Sequence, residues 1–212
     1  MNLPNALTLL RIFFVPLLVA VLVEQHHQVG WRSFVLVSNE FVALAIFLAA
    51  AATDLLDGFL ARKWGQITTV GTLLDPIADK LLISSALISL VQLQRVPAWL
   101  VILIIGREFA VSGLRSIAAA EGYTIRASEL GRTKMVGQVA AVSLVLLSVR
   151  WSSLTLAADI CLWAVMIFGL VSAVDYFMKF WRKVDDEVKK RRRLELLARE
   201  QADRHTTVSP QR

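Results

Sequence analysis

Apolar residues along this chain of 212 residues gather into runs long enough to cross a hydrocarbon core of about 30 Å, which takes roughly 20 residues of helix. Six spanning helices are predicted, over residues 6–23, 37–61, 71–93, 97–119, 135–150 and 155–180. The connections at 24–36, 62–70, 94–96, 120–134 and 151–154 are short and polar or turn-like. Pro97 stands where a helix begins, a position that tolerates proline because its missing N–H would have no partner there. Before the first run, NLPNALTLLR is read as the start of a short interfacial helix capped by Asn5. No repeat or linker divides the pattern. The predicted fold is an all-α polytopic membrane protein, with one membrane domain over residues 1–181 and a charged tail over 182–212.

Composition supports the pattern and charge orients it. Hydrophobic residues make up 56% of the chain, against about 45–50% in a soluble domain, and the mean hydropathy is +0.60. The net charge of +6 would suit nucleic acid, but the positive residues flank apolar runs, as a topology signal does. Arg62 and Lys63 follow the second helix; Arg126, Arg132 and Lys134 follow the fourth, with Arg115 in its last turns; Arg182, Lys183, Lys189, Lys190, Arg191, Arg192 and Arg193 crowd the tail. The alternate connections hold Arg32, Arg95 and Arg150, so both termini are expected in the cytoplasm. The tail, KKRRRLELLARE with mixed acids, reads as a solvated helix near anionic headgroups. Cys161 lies in an apolar run and is read as a packing residue. No cleavable signal peptide is expected, because Arg11 interrupts the first apolar stretch and no small-residue cleavage site follows. His26 and His27 fall on an outer loop, far from the candidate chemistry.

Candidate chemistry concentrates in DLLDGFLARKWGQITTVGTLLDPIAD, residues 54–79. A charged side chain inside a bilayer costs on the order of 3 kcal/mol on insertion scales, so four aspartates at two adjacent helix ends need a reason. Asp54, Asp57, Gly58 and Ala61 fall on one face of the second helix; Gly71, Asp75 and Asp79 fall on one face of the third. A short connection makes the helices antiparallel neighbours, so the two faces can meet. Their carboxylates would repel unless a cation intervened, and hard ions such as Mg2+ or Mn2+ prefer oxygen ligands, two ions being within the reach of such a set. Gly58, Ala61 and Gly71 keep the acidic faces open, and equally allow close helix packing. Arg62, one residue beyond that face, suits a phosphate oxygen or a cytoplasmic anchor.

The spacing D-x2-D-G-x2-A-R-x8-G-x3-D-x3-D, carried without a gap by Asp54, Asp57, Gly58, Ala61, Arg62, Gly71, Asp75 and Asp79, resembles the CDP-alcohol phosphatidyltransferase family. LPNALTLLRIFFVP, DPIADKLL, GREFAVSGLRSIAA and GRTKMVGQ are similar to the bacterial phosphatidylglycerophosphate synthases within it. The resemblance ends near Trp181. It implies a six-helix membrane fold, a homodimer in the bacterial inner membrane with its active site facing the cytoplasm, and transfer of a phosphatidyl group from CDP-diacylglycerol to sn-glycerol 3-phosphate with release of CMP.

By the same resemblance Asp54, Asp57 and Asp75 hold divalent metal, Mg2+ or Mn2+, and Asp79 serves as ligand, base, or both. The nucleotide lies along Gly58, Ala61, Arg62 and Gly71, with Asn5 and Thr8 closing its pocket. A phosphorylated acceptor needs cations. Arg107 and Arg115 lie on one face of the fourth helix, about 12 Å apart along its axis, and Lys134 opens the fifth. Pairing of Arg107 with Glu108 is not expected, since adjacent residues do not share a helix face; Glu108 is expected to bridge to another helix. Cardiolipin synthase and phosphatidylinositol phosphate synthase would share the aspartates and differ in this pocket. A cation transporter would place its acids near the bilayer midplane on several helices, and not at one edge beside Gly, Ala and Arg.

Overall fold

The computed structural model describes residues 3–24, 33–64, 69–121 and 130–207. They form six α-helices and a single 3-10 turn, with no strand among them. The helices are α1 (Leu3–Glu24), α2 (Ser33–Trp64), α3 (Thr69–Gln92), α4 (Ala98–Ala120), α5 (Leu130–Ser148) and α6 (Thr155–Thr207), the turn at Ser152–Leu154 preceding α6. The chain divides into two compact units. The first takes α1 to α3, α4 up to Glu108, α5, and α6 up to Leu170; the second takes α4 from Phe109 and α6 from Val171.

In the first unit α1 lies against both α2 and α3, and α5 touches α2 and α3. The core is built at helical spacing: Leu18 and Leu22 on α1, Ala43, Phe47 and Ala50 on α2, Leu82, Ala86 and Leu90 on α3, Leu100 and Ile104 on α4, and Val142, Val145 and Leu146 on α5. These positions follow i, i+3, i+4 and i+7 steps, so each helix turns one stripe inward. The opposite faces are apolar too. Phe13, Ile102, Leu156 and Phe168 are each about two-thirds exposed, far more apolar surface than a water-soluble exterior carries. By length and composition, Asn5–Val23 and Ser152–Glu187 are each able to cross a membrane, while Met135–Ser148 is a shorter apolar stretch.

Four helices, α1, α2, α5 and α6, extend well past the apolar runs that predicted them. A hydropathy run measures hydrocarbon thickness, whereas a helix continues wherever its backbone hydrogen bonds propagate. So α2 extends to Trp64, α5 begins at Leu130 through the polar GRTK segment, and α6 runs unbroken through the basic tail to Thr207. The interfacial helix expected before α1 is not separate: α1 starts at Leu3, which puts Asn5 inside its first turn and not at a cap. Pro4 also sits in that first turn, where a lost N–H costs nothing.

Beyond Val171, α6 carries exposed i, i+4 ion pairs: Asp175 with Lys179 at 2.6 Å, Lys183 with Glu187 at 3.9 Å, and Asp185 with Lys189 at 2.6 Å. Its hydrogen bond to Asp185 raises the Lys189 pKa above the ordinary value. Pairs of this kind contribute a few tenths of a kcal/mol each, enough to favour helix where burial no longer does.

The α3–α4 connection is closed by the backbone. Gln94 has φ 58°, its N–H bonds to the carbonyl of Val91, and the N–H of Arg95 bonds back to Leu90. This is the six-to-one and five-to-two pair of a Schellman cap, whose left-handed residue is usually glycine. Pro97 then accepts from Val101 and α4 begins, as the sequence indicated. Gln94→Gly is therefore expected to stabilise the protein by up to about 1 kcal/mol, and Gln94→Val to destabilise it. Thermal unfolding of detergent-solubilised variants checks the pair.

Candidate active site

Three helices of the first unit meet at a group of charges. Thr8 and Arg11 are three residues apart on α1, one face of the helix, and are 1% and 0% exposed. Asp54 lies on α2; Asp75 and Asp79 are four residues apart on α3. The Thr8 hydroxyl donates to Asp75 Oδ1 at 2.6 Å. Arg11 Nη1 pairs with Asp54 Oδ1 at 3.1 Å and donates to Asp79 Oδ1. Both carboxylates are partly buried and the guanidinium has no exposure. Thr53, beside Asp54, turns its hydroxyl back to the carbonyl of Ala50, which among the described side chains leaves Asp54 as the polar group that α2 presents there. Gly71, one turn before Asp75, is buried.

The structure thus brings together Thr8, Asp54, Asp75 and Asp79 from the predicted set. Asp57, Gly58, Ala61 and Arg62 continue α2 beyond Asp54, and Lys134 lies in the first turns of α5, but their side chains lie outside the described residues. Asn5 is half-buried one turn before Thr8. Arg11 is the residue that sequence reasoning missed: it was read as an interruption of an apolar run. Its signal was present, because a charge in an apolar helix demands a partner, although no spacing along the chain says which one.

No group of three or more metal-binding side chains is formed among the described residues, with Asp57 outside that search. The donor chemistry nonetheless fits a hard divalent ion. Asp54, Asp75 and Asp79 supply carboxylate oxygens from two helix ends, and a carboxylate offers about four lone-pair sites over two oxygens, of which the contacts above engage Oδ1. These residues could hold Mg2+ or Mn2+.

A second polar group of the first unit sits on α4. Arg107 is 7% exposed. Its Nη2 lies 2.9 Å from Glu108 Oε1, and Gln138 of α5 donates to the same oxygen at 3.4 Å. The expectation that adjacent residues would not pair is corrected here: their Cβ atoms point apart, but the long arginine side chain swings back around the helix. The partner of Glu108 on another helix is an amide and not a cation. On α6, a Cβ at Gly169 would stand 2.6 Å from Arg107 Nε, so the absent side chain makes room for the guanidinium. Arg107 Nε and Nη2 make no hydrogen bond among the described residues. Arg115, in the second unit, is exposed.

Residues 1–174 match the CDP-alcohol phosphatidyltransferase family, and the chain belongs to it. Among its relatives, the CDP-diacylglycerol–glycerol-3-phosphate 3-phosphatidyltransferase of Bacillus subtilis (strain 168) is 41% identical, over 85% of this chain and 95% of that protein. A probable phosphatidylglycerophosphate synthase of Mycobacterium tuberculosis (strain CDC 1551 / Oshkosh) is 38% identical over 86% of this chain and 83% of its own. The CDP-diacylglycerol–glycerol-3-phosphate 3-phosphatidyltransferase of Rickettsia bellii (strain RML369-C) is 34% identical over 83% and 93%. The family match ends within α6, before its ion-paired basic stretch.

The contact between Thr8 and Asp75 is open to a clean test. Thr8→Val keeps the side-chain shape and removes the donor. A hydrogen bond to a charged group contributes about 1.5–3 kcal/mol, so phosphatidyl transfer is expected to fall by at least about tenfold. A radiolabelled-substrate assay with a parallel melting curve checks it.

Proposed function

We propose that this protein transfers the phosphatidyl group of CDP-diacylglycerol to sn-glycerol 3-phosphate, giving phosphatidylglycerol phosphate and CMP. The observation that carries the reading is the 41% identity to a relative of that name across nearly the whole of both chains. The aspartate group agrees with it. Transfer of a phosphoryl centre is governed by placement and by charge neutralisation, with little covalent work for the protein.

In this reading Asp54, Asp57 and Asp75, with Asp79 as a further ligand, hold divalent metal, which when bound neutralises charge on the transferred phosphoryl group. Gly58, Ala61, Arg62, Gly71 and Asn5 form the nucleotide pocket, and the Thr8 hydroxyl fixes the Asp75 carboxylate. Asp79 accepts the proton of the acceptor hydroxyl as its oxygen attacks phosphorus; the new P–O bond forms as the bond to CMP breaks, and CMP leaves with the electron pair. Arg107, Arg115 and Lys134 receive the phosphate of the acceptor. Arg107 Nε, buried and without a hydrogen bond among the described residues, supports its part, since a phosphate oxygen would satisfy it.

All six helices span the membrane in this reading, with both termini in the bacterial cytoplasm and the aspartates at the cytoplasmic edge. The exposed apolar faces support it. So do the aromatic pairs Phe41–Trp151 and Trp99–Trp163, with ring centroids 6.0 and 5.5 Å apart. They stand near the chain start of α2, α4 and α6, as interfacial aromatics do. The homodimer rests on the family resemblance.

The test supplies purified protein with CDP-diacylglycerol, Mg2+ and, separately, glycerol 3-phosphate, inositol 1-phosphate or phosphatidylglycerol. CMP release is expected with glycerol 3-phosphate alone, and Asp79→Asn is expected to lower it by about a hundredfold or more. Release with another acceptor instead would keep the family and change the pocket. Gly169→Ala, which pushes a methyl group into Arg107, is expected to raise KM for glycerol 3-phosphate at least about tenfold while leaving KM for CDP-diacylglycerol unchanged; initial-rate kinetics on both substrates separate the two.

A further inference from the structure

Arg11 has no role in the chemistry above, and its position calls for one. Its guanidinium is wholly buried on a helix that is apolar from Ile12 through Val23. Burying an ion uncompensated is expensive, and here the compensation comes from Asp54 on one neighbouring helix and Asp79 on another. The dependence runs both ways. Asp54, Asp75 and Asp79, with Asp57 one turn from Asp54 in register, put four formal negative charges at the ends of two helices. A set of that kind spreads apart or takes up protons unless a cation stands among it.

We infer that Arg11 is the resident counter-cation of the acidic site: it holds Asp54 and Asp79 in place before metal binds, and remains beside the metal afterwards. The inference rests on the reading that these aspartates hold a divalent ion. It makes Arg11 a positioning residue with an electrostatic cost. The guanidinium and the metal draw on the same carboxylate charge, so Arg11 lowers metal affinity while removing the need for metal to assemble the site.

This yields a signature that an ordinary structural ion pair does not share. Arg11→Met and Arg11→Lys are compared with wild type as full-length protein in detergent. Melting is measured in EDTA and in saturating Mn2+, and Mn2+ affinity by the electron paramagnetic resonance of free Mn2+ without substrates. In EDTA, Arg11→Met is expected to melt well below wild type, and Mn2+ to recover most of the difference. Its Mn2+ affinity is expected to be at least about fivefold tighter, since a unit positive charge has left the site, while turnover falls. Arg11→Lys keeps the charge and loses the planar fork; it is expected to keep wild-type Mn2+ affinity within about twofold and to restore melting in EDTA. Equal loss of melting temperature in EDTA and in Mn2+, with affinity unchanged or weaker, overturns the inference and leaves Arg11 a structural ion pair. If Arg11→Met cannot be obtained folded, Arg11→Lys decides: Mn2+ binding weakened along with melting in both conditions overturns it. Wild-type protein that binds no Mn2+ at all overturns the metal reading, and this inference with it.

Discussion

A guanidinium with no access to water, held between carboxylates from two other helices, is the constraint around which the first unit is arranged. In a low-dielectric interior neither Arg11 nor the aspartates can stand alone, so α1 must lie where α2 and α3 both reach it. That position carries consequences along the helix. Two turns past Arg11, Leu18 and Leu22 enter the core against Phe47 and the α3 leucines, and Thr8, one turn before it, meets Asp75. The apolar packing adds shape where the ion pairs fix register. Helix association within lipid has little hydrophobic drive of its own, which makes a polar contact of this kind more decisive than it would be in a soluble bundle.

The charges also give the unit two unlike ends. The end that holds Thr8, Arg11, Asp54, Asp75 and Asp79 is polar inside. Toward the other end lie Glu40, Arg95 and Arg150, near the exposed pairs Phe41–Trp151 and Trp99–Trp163. Between them the outward faces are apolar. In the function proposed here a water-soluble phosphate ester takes the phosphatidyl group of a lipid-linked nucleotide, and acids at one end of an apolar unit suit it. The substrates meet only where both phases are within reach.

Much of the site was legible in the chain because it is local. Asp54, Asp75 and Asp79 share helix faces by spacing alone, and a short connection forces the two helices together. Thr8 was named on weaker grounds, and the structure places it on Asp75. What the chain did not disclose was pairing across long separation. Arg11 and Asp79 are 68 residues apart, and no periodicity in either helix points to the other. The helix ends were misjudged for a different reason: apolarity reports what lipid tolerates, while GRTK is helical through backbone bonds that need no burial; the tail, read as a solvated helix, is one, continuous with α6. The Arg107–Glu108 contact was misjudged because a rule about Cβ directions was applied to a side chain long enough to evade it.

Among the described residues of the first unit, the buried Arg11 and Arg107 make an instructive contrast. Arg11 is met by two carboxylates from two helices, which compensate its buried charge. Arg107 is met by the carboxylate of its own neighbour, which Gln138 also occupies, and its Nε and Nη2 make no hydrogen bond among the described residues. A buried donor without an acceptor costs about 1–3 kcal/mol, and few native groups are left so without a reason. Gly169 sharpens the point. A methyl group there would crowd the guanidinium, so α6 forgoes packing at that position to keep Arg107 where it is. An arginine held in such a gap suits an anion that arrives from outside, which is the part given to the acceptor phosphate in the function proposed here.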